Sequence, residues 1–76
     1  MMTVKILLDS VEKVKKFTAS ISNEEVDFEI IEGMHIVDAK SIMGIFSIDL
    51  TKPLRLNIHS DDRKILDKIK DFLVEE

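Results

Sequence analysis

Apolar residues recur at every second position along three stretches of the chain, and each stretch predicts a β-strand. These stretches are Val4 to Leu8, Glu25 to Glu32 and Leu54 to His59, and Met34 to Ala39, after the glycine at position 33, is predicted to be a further strand. Because side chains of a strand point alternately to opposite sides, this pattern places the apolar residues on one face of a sheet. The four strands are therefore expected to form a sheet with one covered face and one wet face.

Three further segments have apolar residues at helical spacing. The stripes predicted for the first and last helices consist of Val11, Val14, Phe17 and Ile21, and of Ile65, Leu66, Ile69, Phe72 and Leu73. Between them, Ser41 precedes a short apolar helix of about two turns that extends toward Ile48. The predicted order of elements is therefore β-α-β-β-α-β-α.

Polar residues and a glycine mark where these elements start and turn. Asp9 and Ser10 end the first strand and can cap a helix, and Asp9 with Glu12 has the spacing of a capping box, which places the start of the first helix there. Ser41 and Ser60 precede the second and third helices and are predicted to be N-caps. Gly33 lies between two strands, where a tight hairpin turn requires a positive φ.

The element order indicates an α+β protein in which helices cover the apolar face of the sheet. The 76 residues are expected to form one domain, residues 1–76, in a two-layer sandwich. Periodicity by itself leaves open a ferredoxin-like arrangement with an added C-terminal helix. That fold normally has a longer second helix than the Ser41 segment provides.

Composition narrows the function classes. The sequence has 45% apolar residues, no cysteine and a formal net charge of −4, which favours a folded protein without disulfides and disfavours a nucleic-acid surface. The run from Val4 to Leu8 is too short for a signal sequence, and no segment has the length of a membrane span. A soluble cytoplasmic protein, with no nucleic-acid or membrane partner, is expected.

The basic cluster Lys13, Lys15 and Lys16 lies on the first predicted helix. Such a cluster is usually a solvated helix face. The alternative is a docking surface for an acidic partner protein.

The segment from Asp38 to Leu50 is similar to a known family. Its run Ala39-Lys40-Ser41-Ile42-Met43-Gly44-Ile45 follows a strand and precedes an apolar helix, and it resembles the regulatory-serine segment of HPr, the histidine-containing phosphocarrier of the sugar phosphotransferase system. The element order agrees with that family along nearly the whole chain. The resemblance implies an HPr-like open-faced sandwich, with a four-stranded antiparallel sheet covered on one side by three helices.

The resemblance also implies a role for the second helix. Ser41 corresponds to a regulatory site that an ATP-dependent serine kinase phosphorylates in some HPr-like proteins. Ile42, Met43 and Ile45 correspond to an apolar surface that docks on protein partners such as phosphotransferase-system proteins or transcriptional regulators. Phe46 and Ile48 are expected to pack in the core.

The connection before the first helix departs from the family pattern. HPr carriers accept phosphate on a histidine within a Gly-Leu-His-x-Arg-Pro type of segment, whereas this chain has Leu8-Asp9-Ser10-Val11. Phosphohistidine carriage by that route is therefore not expected. The leading hypothesis is a non-enzymatic, HPr-like regulatory or interaction protein without a catalytic residue, cofactor or metal, and a monomer is expected.

Two alternatives stay open. One is a phosphocarrier that uses His35 or His59, although both residues are expected to be ordinary strand histidines. The other is a small ligand-binding or oligomerising α+β module.

Overall fold

The computed structural model describes residues 1 to 74 of the chain, and its elements follow the predicted order. The strands and α-helices are β1 (Met2–Ile6), α1 (Val11–Ile21), β2 (Phe28–Glu32), β3 (His35–Asp38), α2 (Ile42–Ile45), β4 (Leu54–Ile58) and α3 (Lys64–Ile69). A 3-10 helix at Lys70–Phe72 continues from α3. Strands β2 and β3 and helix α2 are shorter than the sequence pattern predicts.

The four strands form one antiparallel sheet in the order β1-β4-β2-β3. Leu54, Leu56 and Ile58 of β4 are buried, whereas Arg55 between them is exposed, as their alternation predicts. The three α-helices lie on the side where the apolar residues point. The predicted fold class, an open-faced two-layer α+β sandwich, is confirmed.

The core lies between the sheet and the helices. Its buried members are Ile6, Leu8, Val14, Phe17, Ile21, Phe28, Ile30, Ala39, Ile45, Leu54, Leu56, Ile58, Ile65, Ile69 and Phe72. The rings of Phe17 and Phe72 meet edge to face with centroids 5.6 Å apart. This contact packs α1 against the 3-10 helix, and such aromatic pairs contribute about 0.5–1.5 kcal/mol of stability beyond the burial of their surface area.

The first helix begins one residue later than the predicted capping box. Ser10 is the N-cap, and its Oγ accepts a hydrogen bond from the backbone N–H of Lys13 at 3.1 Å. The Asp9 carboxylate instead forms an ion pair with Lys13, and the two charged atoms, Asp9 Oδ1 and Lys13 Nζ, lie 2.9 Å apart. Of the two predicted cap residues, Ser10 is confirmed, and the capping box that begins at Asp9 is wrong because the Asp9 carboxylate pairs with Lys13.

Helix α3 also begins later than predicted. The Ser60 hydroxyl accepts from the N–H of Asp62 at 3.0 Å, and the Asp62 carboxylate accepts from the N–H of Lys64 at 3.0 Å. These two local bonds form a turn ahead of the helix, so Ser60 is not its N-cap. Leu73, predicted to lie on the stripe of this helix, follows it and pairs with Ile6 at the edge of β1.

The β2–β3 hairpin has the predicted glycine turn. Gly33 has φ +60°, whereas Met34 has no positive φ, which is the pattern of a type II′ turn. Glu32 and His35 close the turn as an antiparallel pair. The turn therefore sets the register that places Ile36 opposite Ile31.

Candidate functional site

The connection from β3 to α2 is held by a network of local hydrogen bonds. The Asp38 carboxylate accepts from the N–H of Lys40 at 2.9 Å, and the Asp38 carbonyl accepts from the N–H of Ser41 at 3.0 Å. Ala39 is buried and donates its N–H to the Phe28 carbonyl at 3.0 Å. The backbone that leads into α2 is therefore fixed to the sheet.

The Lys40 side chain adds a long-range anchor that sequence reasoning missed. Its Nζ donates a hydrogen bond to the Glu24 carbonyl and lies 5.7 Å from the centroid of the Phe28 ring. A cation over an aromatic face contributes about 0.5–2 kcal/mol. Nothing in the local pattern around Lys40 indicates these partners, since Glu24 is 16 residues away.

Ser41 is the N-cap of α2, as predicted. Its Oγ accepts from the N–H of Gly44 at 3.2 Å, and its carbonyl accepts from the N–H of Ile45 at 3.0 Å. A Cβ at position 44 would lie 3.3 Å from Ser41 Oγ and 3.5 Å from Val37 Cβ. Glycine therefore leaves room for the capping hydroxyl to approach the helix closely.

The faces of α2 differ from those that the sequence predicted. Ile45 is 0% exposed, so the prediction that it belongs to a docking surface is wrong. Phe46, predicted to be in the core, is 42% exposed. Consecutive helical residues point about 100° apart, so only one of these two side chains can face the sheet.

The exposed side of α2 forms an apolar surface. Ile42 is 38% exposed, Met43 is 82% exposed, and together with Phe46 they make up what we term the α2 patch. Ile42 and Phe46 are four residues apart and therefore lie on the same face of the helix. This spacing is the signal in the sequence from which the exposure of Phe46 follows once Ile42 is known to be exposed. Clustered exposed apolar side chains are typical of interaction surfaces.

The β1–α1 connection has a different chemical character. Leu8 is buried, whereas Asp9 and Ser10 are exposed. The hydrogen bond from Lys13 lowers the pKa of Asp9 below its usual value against the opposing effect of desolvation, and the charge of Lys13 lowers it further. The group that directly precedes the N-cap of α1 is therefore the negatively charged carboxylate of Asp9.

The lysine cluster on α1 is partly neutralised within the chain. Lys13 pairs with Asp9 at 2.9 Å, and Lys16 Nζ lies 3.9 Å from Glu12. Both pairs are exposed and join residues four apart in the sequence, so solvent screens them strongly. This arrangement favours the interpretation of a solvated helix face.

The two histidines lie in the sheet region and not at helix starts. His59 follows β4, and its Nε2 is 2.6 Å from Glu29 Oε1 on the side of the sheet away from the helices. His35 is exposed and pairs across the hairpin with Glu32. The structure therefore brings neither imidazole to the amides that begin α1 or α2.

Within residues 1 to 74, no group of three or more histidine, aspartate or glutamate side chains is placed to hold a metal ion. In the same part of the chain, no helix has the length and apolar character needed to cross a membrane.

Comparison with known proteins identifies structures of the same architecture. The chain superposes on HPr-C-His from Thermoanaerobacter tengcongensis with a TM-score of 0.77 and 23% identity, covering 93% of this chain and 89% of the other. It superposes on the phosphocarrier protein HPr from Bacillus anthracis strain Ames with a TM-score of 0.71 and 23% identity, covering 96% and 94%. No family model and no curated protein matches the sequence. The chain therefore has the fold of HPr proteins.

Proposed function

We propose that this protein is an HPr-like, phosphotransferase-system-related interaction protein that binds protein partners through the α2 patch. It is non-enzymatic, and Ser41 is its regulatory phosphorylation site. The two structural neighbours are HPr proteins, one of them a phosphocarrier by name, and they share nearly the whole length of this chain.

The observation that carries the proposal is the exposure of Ile42, Met43 and Phe46 on a rigidly held helix. The core takes up Ile45 from the same helix, so the outward orientation of the patch is fixed by packing. A preorganised apolar surface binds with little loss of conformational entropy. Methionine at its centre adapts to the shape of a partner.

Ser41 is placed to control this surface. Its side chain is partly exposed and directly precedes Ile42. A phosphate there adds about 1.5 to 2 negative charges beside the apolar patch, which attracts a partner with arginines and repels an acidic one. The modification therefore changes the choice of partner.

Phosphohistidine carriage is not part of the proposed function. The segment Leu7 to Ser10, between β1 and α1, contains no histidine. Asp9, paired with Lys13, places a carboxylate where a phosphate would bind at the start of α1, and the Nε2 atom of His59 is bonded to Glu29. The proposed partners are phosphotransferase-system proteins, transcriptional regulators and a serine kinase.

The first experiment separates the two serine N-caps. Ser41→Asp and the matched control Ser10→Asp are tested by isothermal titration against a panel of purified HPr-binding proteins. We expect Ser41→Asp, and also Met43→Ala, to change the affinity for at least one partner by about tenfold, the effect of losing one important interface contact. Ser10→Asp should bind like wild type. The proposal is contradicted if the wild-type protein and the three variants bind every partner with the same affinity.

The second experiment maps phosphate on the protein isolated from its own cells. Acid-stable phosphate on Ser41 supports the regulatory role. Acid-labile phosphate after incubation with phosphoenolpyruvate and the first enzyme of the phosphotransferase system indicates a carrier that uses His35 or His59, and contradicts the proposal.

A further inference from the structure

The side of the sheet opposite the helices, termed the open face, carries an ordered arrangement of charges. The strand register defines two rows of outward-facing residues across the four strands. One row is Lys5, Arg55, Ile31 and Ile36, and the next is Thr3, Asn57, Glu29 and Asp38. Within each row the residues are direct cross-strand neighbours, so the arrangement is fixed by backbone pairing.

Opposite charges lie at opposite corners of this face. The cations Lys5 and Arg55 are neighbours on the β1–β4 side, where they line a cleft of about 360 Å³ together with Ile31 and Asn57. Lys52, which pairs with Asp49 at 3.7 Å, lines an adjoining cleft with them, and so does Glu32. The linings of these two clefts therefore contain more cations than carboxylates, and Arg55 is the central cation.

The β2–β3 side of the open face is negative. A second cleft, of about 370 Å³, is lined by Asp27, Glu29, Asp38 and His59. His59 Nε2 and Glu29 Oε1 lie 2.6 Å apart in this cleft, and the Asp38 carboxylate accepts a hydrogen bond from the backbone N–H of Lys40. Within residues 1 to 74, no lysine or arginine side chain forms an ion pair with Asp27 or Asp38. A partner that brings cations to this cleft neutralises them.

An apolar residue separates the two charged regions. Ile31 is the cross-strand neighbour of Arg55 in one direction and lies two residues from Glu29 along its own strand. Its other neighbour, Ile36, is 65% exposed on the edge strand. The open face thus has a small apolar centre with a cationic side and an anionic side.

We propose that the open face binds a second copy of this chain, in place of the monomer expected from the sequence. In a dimer with two-fold symmetry, the same surface on both copies makes the contact, so the surface must complement itself. A two-fold axis that passes near Ile31 brings the Lys5 and Arg55 side of one copy against the Glu29 and Asp38 side of the other, twice. The two Ile31 side chains meet at the axis.

The size of the face indicates a weak, reversible dimer. Four strands about 4.8 Å apart, each about five residues long, give a face of roughly 300 Å² in projection. This is smaller than the surface that each partner contributes to a standard stable complex, about 800 Å². Charge complementarity therefore supplies much of the specificity. In this arrangement both α2 patches point away from the interface and remain accessible to partners.

The test exchanges charges across the proposed interface. Arg55→Glu places a carboxylate opposite Glu29 of the other copy, and Glu29→Lys places an ammonium group opposite Arg55 of the other copy. Sedimentation equilibrium at protein concentrations up to about 1 mM, suited to a small interface, measures the association of each protein. We expect wild type to dimerise, each variant alone to associate about tenfold more weakly or not at all because like charges meet, and an equimolar mixture of the two variants to form a heterodimer.

Matched controls carry the same charge changes on α1, which lies on the other side of the molecule. Lys15→Glu and Glu12→Lys should dimerise like wild type, and their mixture should show no added association. Circular dichroism verifies that all variants fold. A wild-type protein that stays monomeric, or variants whose mixture shows no gain over either variant alone, overturns the proposal. Loss of partner binding by the α2 patch would leave this result unchanged, so the two proposals fail separately.

Discussion

Helices α1 and α2 both begin with a serine N-cap, yet they present different surfaces. Ser10 accepts from the N–H three residues on at 3.1 Å, and Ser41 does the same at 3.2 Å. After Ser10 the helix exposes Val11 and then the paired charges of Glu12 and Lys16, whereas after Ser41 the helix exposes Ile42 and Met43 as neighbours. A cap identifies where a helix starts, and the residues that follow it decide what the helix start is able to bind.

The two starts also differ in how they are supported. The β3–α2 connection is tied to Phe28 and Glu24 through Ala39 and Lys40, so α2 is fixed to the sheet before its first residue. The β1–α1 connection is anchored by the buried Leu8 and has an ion pair at its surface between Asp9 and Lys13. The apolar surface is thus the one with the more extensive support.

The largest expected effect separates the inward and outward sides of α2. Ile45→Ala removes a fully buried side chain, and such truncations cost about 2–5 kcal/mol of unfolding free energy. Met43→Ala, at an 82% exposed position of the same helix, should change stability by less than about 0.5 kcal/mol. Urea denaturation of both variants measures the difference. Similar midpoints for the two variants would contradict the orientation of α2 described above.

A smaller effect tests the equivalence of the two caps. Ser41→Ala and Ser10→Ala each remove one acceptor from a helix start, and each should lower stability by about 1 kcal/mol. Threonine at either position keeps the acceptor and should retain most of the stability. Denaturation curves of the four variants test this, and an unchanged midpoint for either alanine variant would show that the corresponding serine hydroxyl does not stabilise its helix.

The smallest effect concerns the charge at the start of α1. The bond from Lys13 lowers the pKa of Asp9 below 3.8, so the pair stabilises the fold above about pH 4 and its contribution is lost as the pH falls through the folded-state pKa. Lys13→Gln should raise the Asp9 pKa toward 3.8. An NMR titration of the Asp9 carboxyl measures the shift. In the same spectra Asp49, whose pKa is lowered by hydrogen bonds from Thr51, is the internal control and should not move.

The sequence predicted the buried face of β4 better than the boundaries of the elements, since β1 (Met2–Ile6) begins and ends two residues before the predicted stretch. The alternation in β4 identifies its buried residues because the period of a strand is two, and a single correct position determines the rest. Val11, by contrast, has the helical spacing of the buried residues of α1 but is 57% exposed. Spacing along a helix does not show which of its apolar residues are covered by other segments of the chain. The start of α3 was misplaced because Ser60 and Asp62 form a local turn, which competes with a cap for the same side-chain oxygens.

The candidate site also has one feature that the local sequence predicts and others that depend on distant segments of the chain. The position of Ser41 as a cap follows from its place before an apolar helix, and the structure confirms it. The outward side of that helix does not follow from the pattern, because four apolar residues among the five from Ile42 to Phe46 leave no polar face to mark the solvent. The contacts of Lys40 depend on a segment 16 residues away and have no local signal.

Periodicity and capping residues therefore determined the element order, the two-layer α+β class and the position of Ser41, because these depend on interactions between residues near one another in the chain. The choice of the HPr-like over a ferredoxin-like arrangement rested on the resemblance of the Ser41 segment. The tertiary structure decided that Ile45 faces inward and Phe46 outward, and it placed Arg55 beside Ile31 on the open face. These features depend on which distant segments pack together, and that is set by the shape of the whole core and by the pairing register of the sheet.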